Sequence, residues 1–177
     1  MRLYIMRFSI ALFSLFLLLS CGQEEPEKKP QLTKQQMKDL SVQMNAWDKK
    51  RQHDEIEQYI SNQGWKMEQT ASGLRYMLLK EGKGDKAVPG QTARVEYRIT
   101  LMDGTVCYSS EQDGAKDFLI GKDNVETGLH EGLQLMRKGD KMRFILPSHL
   151  AHGLTGDNQK IPPRSTVIYE IELLELR

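Results

Sequence analysis

Cysteine is scarce in this 177-residue chain, which has only Cys21 and Cys107. If Cys21 is modified as argued below, Cys107 has no partner and no intrachain disulfide can form. The sequence also lacks a Gly-x-Ser-x-Gly motif, and no base is recognisable in the sequence beside Cys107. Nothing therefore points to nucleophilic catalysis, and the fold must be stabilised by a packed core.

An excess of charge of either sign is also missing. The whole chain has 25 Lys and Arg residues against 24 Asp and Glu, a formal charge of +1. Without residues 1–20, which contain two arginines and no acid, 23 basic residues face 24 acidic ones and the net charge is −1. Nucleic-acid binding depends on a strong basic patch, so we expect no nucleic-acid partner.

The sequence has one long apolar run, residues 8–19, and it lies directly after Arg2 and Arg7. This order of charge and apolar residues is typical of a secretory signal peptide. The run is too short for a membrane-spanning helix. We therefore assign residues 1–20 to a signal peptide and exclude them from the fold.

The four residues that end at Cys21, LLSC, resemble the lipobox of bacterial lipoproteins. In such proteins the cysteine becomes the lipidated N-terminus, and two or more acyl chains give a stable anchor. The resemblance implies lipidation of Cys21 and a place in the bacterial cell envelope, with the outer membrane favoured, on its periplasmic or surface side. The alternative is an ordinary secreted protein with Cys21 left over.

Residues 21–32 are charged and contain prolines, which predicts a flexible tether. Residues 33–63 are predicted to form a helix, because Thr33 and Gln36 have the spacing of a capping box and Gly64 is a natural helix end. Met37, Leu40, Met44 and Trp47 have the spacing of one helical stripe, and a second apolar pair, Ile56 and Ile60, lies nearer the end. They are expected to pack either on the globular domain or on the same helix in a second copy.

Residues 64–177 are dominated by patterns of period two, which predict strands. The predicted strands are at residues 65–70, 74–80, 93–101, 105–108, 142–146 and 166–173. One short helix interrupts them, with Val125, Leu129, Leu133 and Met136 on its buried face and Gly139 at its end. These elements predict an α+β domain in which an antiparallel sheet wraps around a helix.

A loop with two adjacent prolines, Pro162 and Pro163, precedes the last strand. Because proline fixes its own φ and restricts the residue before it, residues 160–164 are predicted to form a rigid, solvent-facing arm at the rim of a pocket. Apolar and aromatic residues at element ends could line that pocket or simply form core: Tyr97, Phe118, Val125, Leu129, Ile161 and Tyr169.

Two other motifs carry little weight. His149 and His152, with Asp157 nearby, permit a metal site, but this spacing in a loop does not indicate one. Gly82, Gly84 and Ala87 fit a nucleotide-binding pattern, yet a Val-Pro-Gly turn follows where a helix would have to begin. We expect neither a metal nor a cofactor.

Three stretches taken in order, GLHEGLQLMRKGDKMRFILP, AHGLTG and IPPRSTVIYEIELLEL, resemble the FKBP-type peptidyl-prolyl cis-trans isomerases. The resemblance covers residues 71–177. With the lipobox and the helix, the whole chain resembles FKBP-like lipoproteins associated with gliding motility. This resemblance implies an FKBP-like bent antiparallel sheet around a short helix, preceded by a helical extension. The implied segments are a signal peptide at 1–20, a tether at 21–32, a helix at 33–63 and an FKBP-type domain at 64–177.

The resemblance also implies site residues and a substrate. Proline-containing polypeptides would be the substrate. The positions matching the catalytic set are Tyr97, Phe118, His152 and Tyr169. Those matching the substrate-binding set are Val125, Glu126, Leu129, Ile161, Cys107 and Tyr108.

Five of these positions depart from the family pattern. Cys107 stands where an aromatic residue is usual, Tyr108 where an aspartate is usual, and Leu129 where a tryptophan is usual. Glu126 replaces an aliphatic residue whose backbone N–H holds the ligand, and His152 replaces a hydroxyl-bearing tyrosine. An imidazole N–H could still donate a hydrogen bond.

Three hypotheses about function follow. The first is a membrane-anchored prolyl isomerase with reduced or narrowed activity that assists the folding of exported proteins. The second is a catalytically degenerate binding module or chaperone for an envelope or motility complex. The third is a chaperone that dimerises through the helix at residues 33–63.

Overall fold

A computed structural model describes residues 32–177. The predicted signal peptide, Cys21 and nearly all of the predicted tether lie outside the described residues. Residues Ser41–Arg177 form one compact unit, and the described residues before Ser41 fall outside it. No helix within residues 32–177 is long and apolar enough to cross a membrane.

The described residues contain three α-helices and seven strands. In chain order they are α1 (Lys34–Gln63), β1 (Glu68–Gln69), β2 (Arg75–Lys80), β3 (Thr92–Leu101), β4 (Val106–Ser109), α2 (Ser110–Asp113), β5 (Lys116–Leu119), α3 (Thr127–Leu135), β6 (Lys141–Leu146) and β7 (Val167–Leu176). A 3₁₀ turn, Ser148–Leu150, follows β6. The strands form one antiparallel sheet in the order β1-β2-β6-β7-β3-β4, and β5 pairs with the start of β3. The predicted α+β architecture is confirmed.

Both ends of α1 have the capping predicted from the sequence. The Thr33 N–H donates to Gln36 Oε1 at 2.9 Å, and the Gln36 N–H donates to Thr33 Oγ1 at 3.2 Å. At the other end Gly64 has φ +66°, and the Trp65 N–H donates to the Ile60 carbonyl at 3.1 Å. The left-handed glycine satisfies carbonyls that the helix leaves without partners.

The C-terminal half of α1 packs on the sheet. Ile56 and Ile60 are buried and form a second core cluster with Ile145 of β6 and Ile168 of β7. The main core is the larger cluster of buried residues and includes Val95, Leu133, Phe144, Leu146 and Tyr169. The second cluster lies on the opposite face of the sheet, because Ile145 and Ile168 alternate with main-core residues along β6 and β7. Other apolar side chains of α1 are exposed: Met37, Leu40, Val42, Met44 and Trp47.

Helix α3 packs closely on β6. A Cβ added at Gly128 would lie 2.7 Å from Leu146 Cδ2, and one added at Gly132 would lie 3.1 Å from the Phe144 ring. Both distances are shorter than ordinary van der Waals contact. The two glycines therefore set how closely the helix approaches the sheet.

The predicted bounds of this helix are wrong at both ends. Val125 precedes α3, and Met136 is already extended, with φ −87° and ψ 154°. Gly139, with φ +92°, lies in the turn that leads into β6 rather than at the helix end. Apolar spacing of three and four residues continues across these loop positions because their side chains still reach the same core.

Candidate functional site

A cavity of about 350 Å³ opens on the main-core side of the sheet. Its walls come from β3, β4, β5, β7, the start of α3 and the loop between the 3₁₀ turn and β7. The lining residues are Val95, Tyr97, Ile99, Tyr108, Lys116, Phe118, Val125, Glu126, Leu129, His152, Asp157, Gln159, Tyr169 and Ile171. Apolar pockets of this size, with a few polar groups, are typical of small-ligand sites.

Aromatic residues form much of the wall. Tyr97 and Tyr169 face the cavity because alternate residues of a strand share a face, and both are more than nine-tenths buried. The Tyr97 hydroxyl donates to Asp113 Oδ2 at 3.2 Å, and Lys116 Nζ lies 5.2 Å from the centre of the Tyr97 ring. These contacts hold the Tyr97 ring against the pocket.

Glu126 and His152 bring charge into this apolar surface. Glu126 Oε1 lies 2.7 Å from His152 Nε2. The ring N–H is not aligned with the carboxylate, so the buried Nε2 has no well-formed hydrogen bond and the contact is an ion pair when the imidazole is protonated. Burial raises the pKa of Tyr169 well above its ordinary value, and the charge of Glu126 and a hydrogen bond to it raise it further.

Tyr108 and Asp157 form a second polar pair. The Tyr108 hydroxyl donates to Asp157 Oδ2, and this hydrogen bond, followed by burial, raises the pKa of Tyr108 to about 12. Asp157 Oδ1 accepts from the N–H groups of Gln159 at 2.9 Å and Ile161 at 2.8 Å. Burial acts to raise the pKa of Asp157, but the hydrogen bonds from Tyr108 and the two N–H groups outweigh it and lower that pKa.

The structure places eight of the ten predicted site residues on the cavity wall: Tyr97, Phe118, His152, Tyr169, Val125, Glu126, Leu129 and Tyr108. Cys107 and Ile161 lie behind the wall, in the main core. The Cys107 thiol is 3.6 Å from the Lys160 carbonyl, and burial raises its pKa. Cys107 therefore packs against the loop that contains Pro162 and Pro163 instead of contacting a ligand.

The predicted arm at residues 160–164 is solvent-facing only in part. Pro162 and Pro163 are exposed, but Ile161 is 2% exposed because its side chain fills the main core. Arg164 takes φ +57° and its N–H donates to the Gly153 carbonyl at 2.9 Å. The loop therefore folds back on itself before entering β7.

Sequence reasoning missed six lining residues: Val95, Ile99, Lys116, Asp157, Gln159 and Ile171. The strand alternation that placed Tyr97 and Tyr169 also places Val95, Ile99 and Ile171, so a signal for these three existed. Asp157 was interpreted as a turn residue, and it is one, since it caps two backbone N–H groups. Its second oxygen reaches Tyr108 across the fold, which local pattern does not reveal.

The two histidines of the weak metal motif do not form a site together. His149 Nε2 lies 3.1 Å from the Ser72 carbonyl, whereas His152 lines the cavity. Within residues 32–177, no group of three or more His, Cys, Asp or Glu side chains could hold a metal ion.

Known proteins are similar to this chain in sequence. Residues 83–174 match the family described as FKBP-type peptidyl-prolyl cis-trans isomerase. A probable FKBP-type peptidyl-prolyl cis-trans isomerase FkpA of Neisseria meningitidis serogroup B is 32% identical over 147 residues, covering 82% of this chain and 53% of the relative. The FKBP-type 22 kDa peptidyl-prolyl cis-trans isomerase of Escherichia coli is 40% identical over 110 residues, covering 60% and 52%.

Solved structures agree on the fold. The crystal structure of AtFKBP13 matches with a TM-score of 0.60 and 31% identity, over 63% of this chain and 99% of that one. FkpA from Escherichia coli matches with a TM-score of 0.63 and 24% identity, over 98% of this chain and 81% of that one.

The chain spans about half the length of the two curated relatives named above. The family match itself covers more than half of this chain, from the loop before β3 to Leu174 in β7. The same stretch holds every residue that lines the cavity. The chain belongs to the FKBP-type peptidyl-prolyl cis-trans isomerase family.

Proposed function

We propose that this protein is a peptidyl-prolyl cis-trans isomerase that acts on proline-containing polypeptides and assists the folding of exported proteins. The observation that carries the proposal is the cavity on the main-core side of the sheet, walled by Tyr97, Phe118 and Tyr169. Family membership supports it.

Isomerisation needs no nucleophile, which suits this cavity. The barrier of about 18–20 kcal/mol arises from amide resonance, which is lost as the C–N bond twists. A dry aromatic pocket disfavours the charge-separated planar amide relative to the twisted one, and it holds the proline ring while its neighbour rotates. Cys107, buried and with a raised pKa, stays a neutral thiol and takes no part in this chemistry.

The residues of the cavity have two proposed roles: some form its apolar walls, and others donate hydrogen bonds to the peptide. Tyr97, Phe118 and Tyr169 hold the proline ring, with Val125 and Leu129 closing the floor. His152 is placed to donate a hydrogen bond to the peptide when its contact with Glu126 opens. The family resemblance implies that the backbone N–H of Glu126 donates to the ligand.

The test follows cis-trans exchange of an X-Pro peptide by NMR with catalytic amounts of protein. Phe118→Ala removes a wall and is expected to lower kcat/KM by about tenfold or more. Tyr169→Phe removes a hydroxyl inside the cavity and is expected to change the rate of cis-trans exchange. Tyr76→Phe removes a hydroxyl bound to Glu68 outside the cavity and is the matched control. Unchanged exchange in the presence of folded wild-type protein would contradict the proposal.

A binding module is the second candidate, and the two polar pairs favour it. Tyr108 and Asp157 share a hydrogen bond inside the pocket, and Glu126 and His152 place a carboxylate and an imidazole against each other there. Such a pocket could hold a peptide without turning over its proline bond. NMR titration with the same X-Pro peptide separates the two candidates, since a binding module shifts pocket resonances without accelerating exchange.

A lipid anchor at Cys21 and a place in the bacterial cell envelope belong to the same proposal. They are supported by the signal-like segment and by the lipobox resemblance at residues 18–21. The test is metabolic labelling with a lipid precursor, followed by fractionation. A Cys21→Ala variant is expected to lose both the label and the membrane fraction, and retention of either would contradict the anchor.

Self-association through the helix at residues 33–63 is the remaining element of the proposal. It is supported by the exposed apolar side chains of α1, among them Met44 at 47% and Trp47 at 64% exposure. Light scattering over a range of concentrations tests it. Trp47→Glu is expected to favour the monomer, with the exposed Gln58→Glu as control on the same helix. A wild-type monomer at all concentrations would rule it out.

A further inference from the structure

We propose that helix α1 is a positioning element for the cavity. The loop at residues 148–164 forms one wall of the cavity, and Gln52 and Asp48 of α1 bind its two ends. For its catalytic readout the inference rests on the proposed isomerase function. Its structural readout does not depend on that function.

The loop is a wall of the cavity and is not part of the sheet. It supplies three lining residues, His152, Asp157 and Gln159. Gly153 and Gly156 have φ +64° and +70°, conformations that a glycine adopts without strain. Loops are more mobile than the strands that they connect, so contacts with neighbouring elements restrict the conformations of this loop.

The first end is held by Gln52. Gln52 Nε2 donates to Ser148 Oγ at 2.8 Å, and the Ser148 N–H donates to Gln52 Oε1 at 2.8 Å. Gln52 is 3% exposed and Ser148 is 5% exposed. The two hydrogen bonds are therefore shielded from water, and loss of either leaves a buried polar group without a partner.

The second end is held by Asp48, one helical turn earlier. Asp48 Oδ2 lies 3.3 Å from Arg164 Nη1, and Asp48 Oδ1 lies 2.7 Å from Arg51 Nη2. Asp48 is 5% exposed, so its charge needs both arginines. Arg164 is the residue that follows the two prolines, at the exit of the loop.

The two attachment points are joined to each other through backbone. The Gly153 N–H donates to the Ser148 carbonyl at 2.8 Å, and the Arg164 N–H donates to the Gly153 carbonyl at 2.9 Å. Gln52 and Asp48 therefore act on one connected piece of main chain. His152, which carries an imidazole into the cavity, is adjacent to that piece.

Helix α1 can serve as a fixed reference because other contacts hold it to the sheet. Ile56 and Ile60 pack on Ile145 and Ile168. Arg75, 3% exposed, donates to Glu57 Oε1 at 3.0 and 3.2 Å. None of these contacts involves the loop, so loop and helix can be uncoupled without removing the helix.

The experiment measures amide hydrogen exchange and isomerase kinetics on the full chain. In Gln52→Ala, amides of residues 148–161 are expected to exchange about tenfold faster, while amides of β3 and β7 keep their order of protection. KM for an X-Pro peptide is expected to rise severalfold, with a smaller change in kcat, because the loop contacts substrate and the aromatic walls are untouched. Ser148→Ala removes only the hydroxyl partner and is expected to give a smaller effect.

Two controls separate positioning from general loss of stability. Gln58→Ala changes the same residue type at an exposed position of the same helix and is expected to alter nothing. Leu173→Val loosens the main core without lining the cavity and is expected to raise exchange throughout the sheet without a selective effect on the loop. If Gln52→Ala does not fold, Asp48→Asn, which weakens only the pair with Arg164 and Arg51, takes its place.

Each outcome decides the matter. Selective loop exchange with an increase in KM supports the proposal. Unchanged loop exchange, or a loop effect equal to that of Leu173→Val, overturns it. If wild-type protein accelerates no peptide, the isomerase proposal fails, but the exchange data still decide whether α1 positions the loop.

Discussion

The wall of the cavity contains aromatic side chains and two pairs of polar side chains. Tyr108 and Asp157 share a hydrogen bond, and Asp157 also holds the N–H groups of Gln159 and Ile161. One carboxylate thus holds the backbone of residues 159 and 161 and accepts a hydrogen bond from a tyrosine of the cavity wall. The family resemblance implies that Tyr108 replaces an aspartate, and Asp157 brings a carboxylate to it from the loop between the 3₁₀ turn and β7.

Replacement of Asp157 by asparagine is expected to lower the pKa of Tyr108 from about 12 toward its ordinary value of 10.0, because the charged acceptor is lost. NMR titration of ring-labelled tyrosine measures this. Asp113→Asn, which replaces the charged acceptor of the Tyr97 hydroxyl by a neutral amide, is the matched control and leaves the Tyr108 midpoint in place. An unchanged Tyr108 midpoint in Asp157→Asn would contradict the role given to this hydrogen bond.

The same pair makes stability depend on pH in two windows. The pKa of Tyr108 is raised in the folded state, so its contribution is complete below pH 10.0 and is lost as pH rises through about 12. The pKa of Asp157 is lowered, so its contribution is present above the ordinary value of 3.8 and is lost as pH falls through the folded pKa. Urea unfolding across pH is expected to show a flatter acid limb in Asp157→Asn than in wild-type protein, and identical limbs would refute this.

Among the elements, α3 and α1 approach the sheet from opposite faces by different means. Helix α3 uses Gly128 and Gly132 to come close to β6. Helix α1 uses Ile56 and Ile60, whose side chains fill the space above Ile145 and Ile168. The sheet is therefore covered on both faces where β6 and β7 run side by side.

Gly128→Ala is expected to destabilise the protein by about 1–3 kcal/mol, because its Cβ would lie 2.7 Å from Leu146 Cδ2 and 2.9 Å from the Leu150 carbonyl oxygen. Helix propensity alone predicts the opposite sign, since alanine is the better helix former. Denaturant unfolding measures the difference, with the exposed Thr127→Ala as control on the same helix. A more stable Gly128→Ala protein would show that the helix can move away from β6 without loss.

Ile56→Ala is expected to cost about 2–5 kcal/mol, because it leaves a cavity in the second core cluster. Trp47→Ala, on the same helix but 64% exposed, is expected to change the free energy of unfolding by much less. The two variants compared by denaturant unfolding test whether α1 is part of the folded domain. Equal effects would indicate that the second cluster contributes little.

On the scale of the whole molecule, the compact unit runs from Ser41 to Arg177 and includes most of α1. The sequence predicted a domain beginning at residue 64, on the grounds that helical pattern gives way to strand pattern there. Yet residues 48–60 of the helix hold Ser148, Arg75, Ile145 and Ile168 through side chains. A boundary between patterns is not a boundary between packed units.

A fragment of residues 41–177 is therefore expected to unfold cooperatively at nearly the temperature of the full chain. A fragment of residues 64–177 is expected to unfold at a clearly lower temperature, because Ile145 and Ile168 become exposed and Ser148 and Arg75 lose partners. Calorimetry of the two fragments tests this. Equal unfolding temperatures would mean that α1 is an appendage.

The sequence by itself determined the family and most of the elements, although it did not predict α2 or β5. Strand alternation placed Tyr97 and Tyr169, the capping box and Gly64 set the ends of α1, and ordered motifs identified the FKBP fold, because these signals are local in the chain. Only the tertiary structure decided that Asp157 joins Tyr108, that Cys107 and Ile161 sit behind the wall, and that Gln52 holds Ser148. The two hydrogen bonds join residues 49 and 96 positions apart, and the places of Cys107 and Ile161 depend on what their side chains pack against. The periodicity of apolar residues along the chain contains neither kind of information.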